Sequence, residues 1–288
     1  MPAAASAGAR FDPSAVALVL LAAALHAGWN AVLRVGGDRL VVMGVITGGA
    51  GLIAGLLVPF TPLPPTAAWP ILLLSAGFHV GYNSFLVAAY AHGDLGQVYP
   101  IARGTAPLLV VGLVGPVLGE SVAGVQLAGV LLTSAGIAAL ALRGGASRVR
   151  PQALAYALVT ACFIAAYTVT DAAGARAAGS PHGYTLWLFL VDGVLFVAIV
   201  VWRRGRALAA LARESWRPGL AGGAMSLAAY WLVIWAFTVA PAAGVAALRE
   251  TSVLFAALIG AFLLKEPLGR WRVAAAAVVT VGVLLLRS

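Results

Sequence analysis

The sequence predicts an all-α polytopic membrane protein of ten transmembrane helices, arranged as two inverted five-helix repeats. Three observations predict it. Of the 288 residues, 62% are apolar and only 9% are charged, against roughly 25% charged in an ordinary soluble domain. Apolar runs of spanning length recur ten times along the chain. A shift of 146 residues lays Arg103 on Arg249, Thr105 on Thr251, Glu120 on Glu266 and Gly136 on Gly282. The composition excludes a soluble globular enzyme, and so little charge excludes disorder.

The spans are expected near 14–33, 41–60, 69–91, 96–118, 123–142, 152–172, 183–202, 217–239, 243–264 and 271–287. Each is long enough to cross a hydrocarbon layer as a helix. Short connections rich in Pro, Gly and Arg separate them, such as TPLPP at 61–65 and RGGASRVRP at 143–151. The first run is too long for a cleaved leader and lacks a small-residue exit, so it reads as span 1. The single cysteine, Cys162, lies in an apolar run and leaves no intramolecular disulfide to form.

The repeat divides the chain at 1–146 and 147–288. RGTAPLLVVGLVGPVLGE and RETSVLFAALIGAFLLKE align without a gap. Five spans is an odd number, so the second half crosses in the opposite sense, as in secondary transporters. Thirteen of the 18 basic residues fall in the loops after spans 1, 3, 5, 7 and 9. Basic loops stay cytoplasmic, so both termini are expected outside. The net charge of +9 is then explained by an anionic membrane surface and not by nucleic acid.

Polar groups within spans are costly, and they face a cavity or a partner. Span 4 carries Arg103 in YPIARGTAP, roughly 12 Å inside at ~1.5 Å per residue. Pro100 and Pro107 flank it, so a broken helix is expected there, with Tyr99 beside it. Span 9 carries Arg249 and then Glu250. Inverted geometry puts the two arginines on opposite sides of the midplane. They bind or gate an anionic group, or they form a structural ion pair with Glu250.

Span 1 offers His26, Trp29 and Asn30 on one helical face, and span 3 offers His79, Tyr82 and Asn83 at the same spacing. Tyr167 and Thr168 in span 6, and Tyr230, Trp231 and Trp235 in span 8, complete an aromatic set suited to a small-molecule cavity. For each polar residue taken singly, a bond to a neighbouring helix competes with a role in the cavity. The substrate set is Trp29, Asn30, His79, Tyr82, Asn83, Tyr99, Arg103, Tyr167, Trp231 and Arg249. His26 and Glu250 are the proton-coupling candidates. Asp192 in span 7 either pairs with a neighbouring helix or takes part in coupling. Glu120 and Glu266 close spans 4 and 9 and suit capping of the next helix.

Gly44-x-x-x-Gly48, Gly51-x-x-x-Gly55 and Gly115-x-x-x-Gly119 fit close helix packing. Trp69, Trp187, Trp202, Trp216 and Trp271 fit interface anchors. There is no Walker A, HExxH or GxSxG motif, and no Cys/His set has metal-site spacing. No catalytic activity, cofactor or metal is expected.

The order of these features, with LHAGWN in span 1, YPIARGTAPLL in span 4 and LRETSVLFAALIGAFLLKE in span 9, resembles the drug/metabolite transporter superfamily. Within it, the chain looks like an EamA-type transporter over its whole length. The resemblance implies a metabolite exporter of a bacterial inner membrane. It also implies a central cavity among spans 1, 3, 4, 6, 8 and 9, and cytoplasmic termini, where the arginine distribution indicates the reverse. The expected function is secondary transport of a small polar or amphoteric metabolite, such as an amino acid or organic acid. A lipid-linked substrate flippase and a non-transporting scaffold are the alternatives. The expected partners are the small substrate and the bilayer, with no nucleic acid, and the chain acts as a monomer or weak homodimer.

Overall fold

The computed structural model describes residues 12–35, 38–93, 95–122, 124–142, 149–263 and 270–286. These residues are helical apart from their turns. In chain order they form α1 (Pro13–Val35), α2 (Arg39–Leu57), α3 (Trp69–His92), α4 (Leu95–Leu118), α5 (Gly124–Leu142) and α6 (Pro151–Ala177). Then follow α7 (Pro181–Arg204), α8 (Arg206–Val239), α9 (Ala242–Arg249), α10 (Ser252–Leu263) and α11 (Arg270–Leu286). Short 3₁₀ turns occupy Val58–Phe60 and Thr66–Ala68. Eight helical segments are long and apolar enough to cross a membrane, and the apolar helices Gly124–Leu140 and Val273–Leu286 are shorter.

Every predicted apolar segment coincides with a helix, but three regions depart from expectation. Span 4 is not broken: α4 runs through Pro100, Pro107 and Pro116. Each proline removes one backbone donor, and close packing holds the helix in line. A Cβ on Gly104 would stand 3.1 Å from the Ser134 carbonyl on α5. The interruption falls in span 9 instead, at Glu250–Thr251 between α9 and α10. There the ladder tightens to i→i−3 bonds, with Glu250 N–H donating to Ala247 O and Thr251 N–H to Leu248 O, each at 3.1 Å. The arginine-rich stretch after span 7 also differs from a loop, since α8 starts at Arg206 and continues through Pro218.

The helices pack in pairs that exchange under a five-span shift. α3 lies on α6 and α1 on α8; α2 lies on α8 and α3 on α7; α4 lies on α6 and α1 on α9 and α10. α2 meets α7, and α5 meets α11, each packing on its own counterpart. Gly51 and Gly193 make the α2–α7 approach possible: a Cβ on Gly193 would stand 2.9 Å from Gly51 Cα and 2.9 Å from the Thr47 carbonyl. The predicted Gly115–Gly119 pair has a different role. Gly115 meets no neighbouring helix, and Gly119 takes a φ of +68° as it ends α4.

Outside the spans, Asp38 caps α2 by accepting from the Leu40 and Val41 N–H groups. Its other oxygen accepts from Arg204 Nε at 2.7 Å. Partial burial opposes ionisation, but the Arg204 contact and the backbone donors outweigh it and hold the carboxyl below its usual range. At the same end, Arg39 donates to the Tyr90 carbonyl and lies over that ring, tying α2 to α3.

The closing glutamate of span 4 caps a distant helix and not its neighbour. Glu120 Oε2 accepts from the Ala242 N–H at 2.9 Å, so it caps α9. Its Oε1 receives Arg176 Nη2 at 2.5 Å. Arg176 also donates to the Phe237 and Ala240 carbonyls at the end of α8. Glu266 lies outside the described residues.

Of the predicted anchors, Trp202, Trp216 and Trp271 are exposed. Trp69 and Trp187 meet edge to face, with ring centres 5.0 Å apart.

Candidate functional site

A central cavity of about 50 Å³ lies between α1, α2, α3, α6, α7, α8 and α9. Its polar lining is His26, Trp29, Thr47, His79, Tyr82, Asn83, Tyr167, Asp192, Ser226, Tyr230 and Arg249. Seven predicted residues are brought together here: His26, Trp29, His79, Tyr82, Asn83, Tyr167 and Arg249. Asn30, Tyr99, Arg103, Trp231 and Glu250 lie outside the lining. The wall also differs from the expected set of helices. α2 and α7 contribute Thr47 and Asp192, and α4 contributes no lining residue. Close approach at Gly51 and Gly193 brings α2 and α7 into the wall.

On α1 the i, i+3, i+4 face forms a local cluster. Trp29 Nε1 donates to His26 Nδ1 at 3.2 Å, and Asn30 Nδ2 donates to the His26 carbonyl at 2.9 Å. His26 Nε2 is buried without a hydrogen-bond partner. Tyr82 OH and Asp192 Oδ1 share that condition. Leaving such groups unmet costs roughly 1–3 kcal/mol each. Three of them on one cavity wall mark a surface made for something polar.

The two arginines meet at one acid. Glu250 is 1% exposed, Arg103 1% and Arg249 2%. Arg103 Nε lies 2.6 Å from Glu250 Oε2, and Arg249 Nε lies 4.0 Å from Oε1. Neither guanidinium N–H is aligned on its oxygen, so the attraction is charge contact more than a directed bond. Arg103 also donates to Ser252 Oγ at 3.2 Å and lies over the Tyr99 ring. Those contacts occupy Arg103 behind the wall. Arg249 instead donates to Tyr167 OH at 3.1 Å and lies over the rings of Tyr167 and Tyr230, facing the cavity. Two guanidiniums share one carboxylate, and this trio carries one more guanidinium than carboxylate.

Trp231 stands apart, donating Nε1 to His182 Nδ1 at 2.8 Å. A residue that sequence reasoning passed over is Asp171, which is fully buried. It accepts from Ser75, Tyr184 and Tyr230, and His79 Nε2 lies 3.0 Å from its Oδ2. The available signal was its i, i+4 spacing from Tyr167. Its placement one residue short of the expected end of span 6 hid that signal, because α6 runs on to Ala177. Among the described residues, no group of three or more His, Cys, Asp or Glu is placed to hold a metal ion.

The fold has a solved counterpart. One crystal structure superposes with a TM-score of 0.71 at 19% identity, covering 96% of each chain. No curated protein matches the sequence. The family model of the EamA-like transporter family matches residues 152–288, the half that holds Tyr167, Asp171, Asp192 and Arg249. The second half of the chain is thus similar to the EamA-like transporter family, and the eight helical segments long and apolar enough to span mark a multi-pass membrane protein.

Proposed function

We propose that the chain is a secondary transporter of a small amphoteric metabolite, such as an amino acid, working by alternating access. The observation that carries this reading is the cavity wall. It holds a cation, Arg249, and a buried carboxylate oxygen without a partner, Asp192 Oδ1, along with His26 Nε2 and Tyr82 OH. A substrate carboxylate suits Arg249, and a substrate amine suits Asp192. The exchange-related packing supports ten spans in two inverted repeats, 1–146 and 147–288, with the cavity between them. At about 50 Å³ the cavity holds a few waters, so a metabolite enters only when the helices part. The basic loops favour termini on the outer face of a bacterial inner membrane.

A flippase requires polar groups at a lateral gap. The groove of about 380 Å³ between α2 and α7 is lined only by Gly, Leu and Val, so the observations favour a soluble substrate. Thermal-shift screening of the purified protein against amino acids, organic acids, phosphonates and cations tests the proposal. An amphoteric compound should stabilise the native chain, and Arg249→Gln should abolish the shift. Stabilisation by no compound of any class overturns it.

A further inference from the structure

Asp171 sits behind the cavity wall, where four donors converge on its two oxygens. Ser75 Oγ and Tyr184 OH reach Oδ1, the latter at 2.9 Å. Tyr230 OH reaches Oδ2 at 2.5 Å, and His79 Nε2 at 3.0 Å. An ionised carboxylate is acceptor-only and offers about four sites, so this arrangement fills it. His79 Nε2 then carries hydrogen, and Nδ1 is left as the basic nitrogen. Nδ1 makes no hydrogen bond among the described residues. The imidazole lines the cavity, stacked on Tyr167 at 4.2 Å and 19° and edge-on to Tyr230.

We propose that His79, backed by Asp171, is the site where the coupling proton binds, and that proton and substrate carboxylate bind together. This rests on the transporter reading above. A proton from cavity water adds to the Nδ1 lone pair. The resulting imidazolium keeps its Nε2–H on Asp171 Oδ2, and the proton later leaves to water from the same nitrogen. His26 has no such carboxylate, since its Nδ1 is taken by Trp29. Glu250 is held between two guanidiniums.

The charges around His79 fix the sign of the coupling. α6 contributes Asp171 and Tyr167, α7 contributes Tyr184 and Asp192, α8 contributes Tyr230, α1 contributes His26, and α9 contributes Arg249; Tyr82 lies on the same helix. Both carboxylates favour an imidazolium. Arg249, over the same two rings that hold His79, opposes it. A substrate carboxylate at Arg249 neutralises that opposition, so each ligand strengthens the other.

Two measurements decide the matter. In ¹⁵N-histidine-labelled protein, with the His79 signal identified by its loss in His79→Gln, an Nε2–H tautomer is expected in alkaline buffer and an imidazolium signal on acidification. In Asp171→Asn the imidazolium signal should be lost at the lower pH. A neutral ring throughout, an Nδ1–H tautomer, or an Asp171→Asn spectrum like the wild type overturns the proton site, and the wild-type tautomer decides even if that variant does not fold.

In proteoliposomes, counterflow of a radiolabelled amino-acid mixture reports transport, and accumulation under a pH gradient reports coupling. Accumulation on the alkaline side should reach about tenfold per pH unit for one proton. The ratio of driven accumulation to counterflow should fall to one in His79→Gln and Asp171→Asn. Absence of counterflow in the wild type refutes the transporter reading. Wild-type counterflow without gradient-driven accumulation, or accumulation on the acidic side, refutes the coupling.

Discussion

Arg176 Nη2 lies 2.5 Å from Glu120 Oε1, and this one pair closes the turn between α8 and α9. Arg176 fills carbonyls at the end of α8, while Glu120 fills the first N–H of α9. The pair thus satisfies both open helix ends at the joint that leads into α9, the helix that ends at Arg249. Glu120→Gln keeps an acceptor for the Ala242 N–H, whereas Glu120→Ala removes acceptor and charge together. Glu120→Ala should cost roughly 2–4 kcal/mol and Glu120→Gln less, since removing one member of a mostly buried pair strands the other. Thermal unfolding in detergent checks the order.

The two buried arginines should behave differently when neutralised. Arg103→Gln removes the close partner of Glu250 and should destabilise by about 3–5 kcal/mol. Arg103→Gln combined with Glu250→Gln should recover part of that loss, as coupled sites do. Arg249→Gln should leave the fold closer to native and remove stabilisation by substrate. Melting curves with and without the best compound from the screen separate these outcomes.

The α2–α7 contact has no room for a side chain. Gly193→Leu should part these helices and cost more than about 3 kcal/mol, because its Cβ meets backbone and not a flexible chain end. Gly77→Ala meets nothing within 4 Å and should be neutral or stabilise by about 0.5–1 kcal/mol. Paired unfolding measurements on the two variants test the close approach directly.

The α2 cap should respond to acid. The Asp38 carboxyl titrates below its ordinary value of 3.8, so its contribution is present above that value and is lost as pH falls below it. Asp38 and Arg204 are substantially exposed, with side chains 41% and 46% accessible, so the effect is small and screened by salt. Asp38→Asn should flatten the acid limb of the stability profile slightly, with the difference vanishing in high salt.

Helix positions were legible because apolar runs long enough to span alternate with short stretches rich in Pro, Gly and Arg. The cavity was legible in part. His26, Trp29, His79, Tyr82 and Tyr167 stand out as polar or aromatic residues at helical spacing in spans, where each demands a partner. Two features were not legible. Proline density pointed to a break in span 4, but tertiary packing supports α4, and the interruption falls at Glu250, where no proline marks it. Asp171 was hidden because its meaning depends on donors from α3, α7 and α8, a convergence that a linear pattern does not encode. Trp231 and Arg103 lie outside the cavity lining: one bonds His182, and the other contacts Glu250 and Ser252.

The interruption between α9 and α10 has a mechanical consequence. Its counterpart α4 is continuous, so two halves alike in sequence pattern differ in stiffness. One side of the molecule has a joint beside its cation, and the other has a strut. Under the alternating-access reading proposed above, opening toward one face of the bilayer would proceed by bending, and opening toward the other by tilting of whole rods. The two directions of passage need not share a rate.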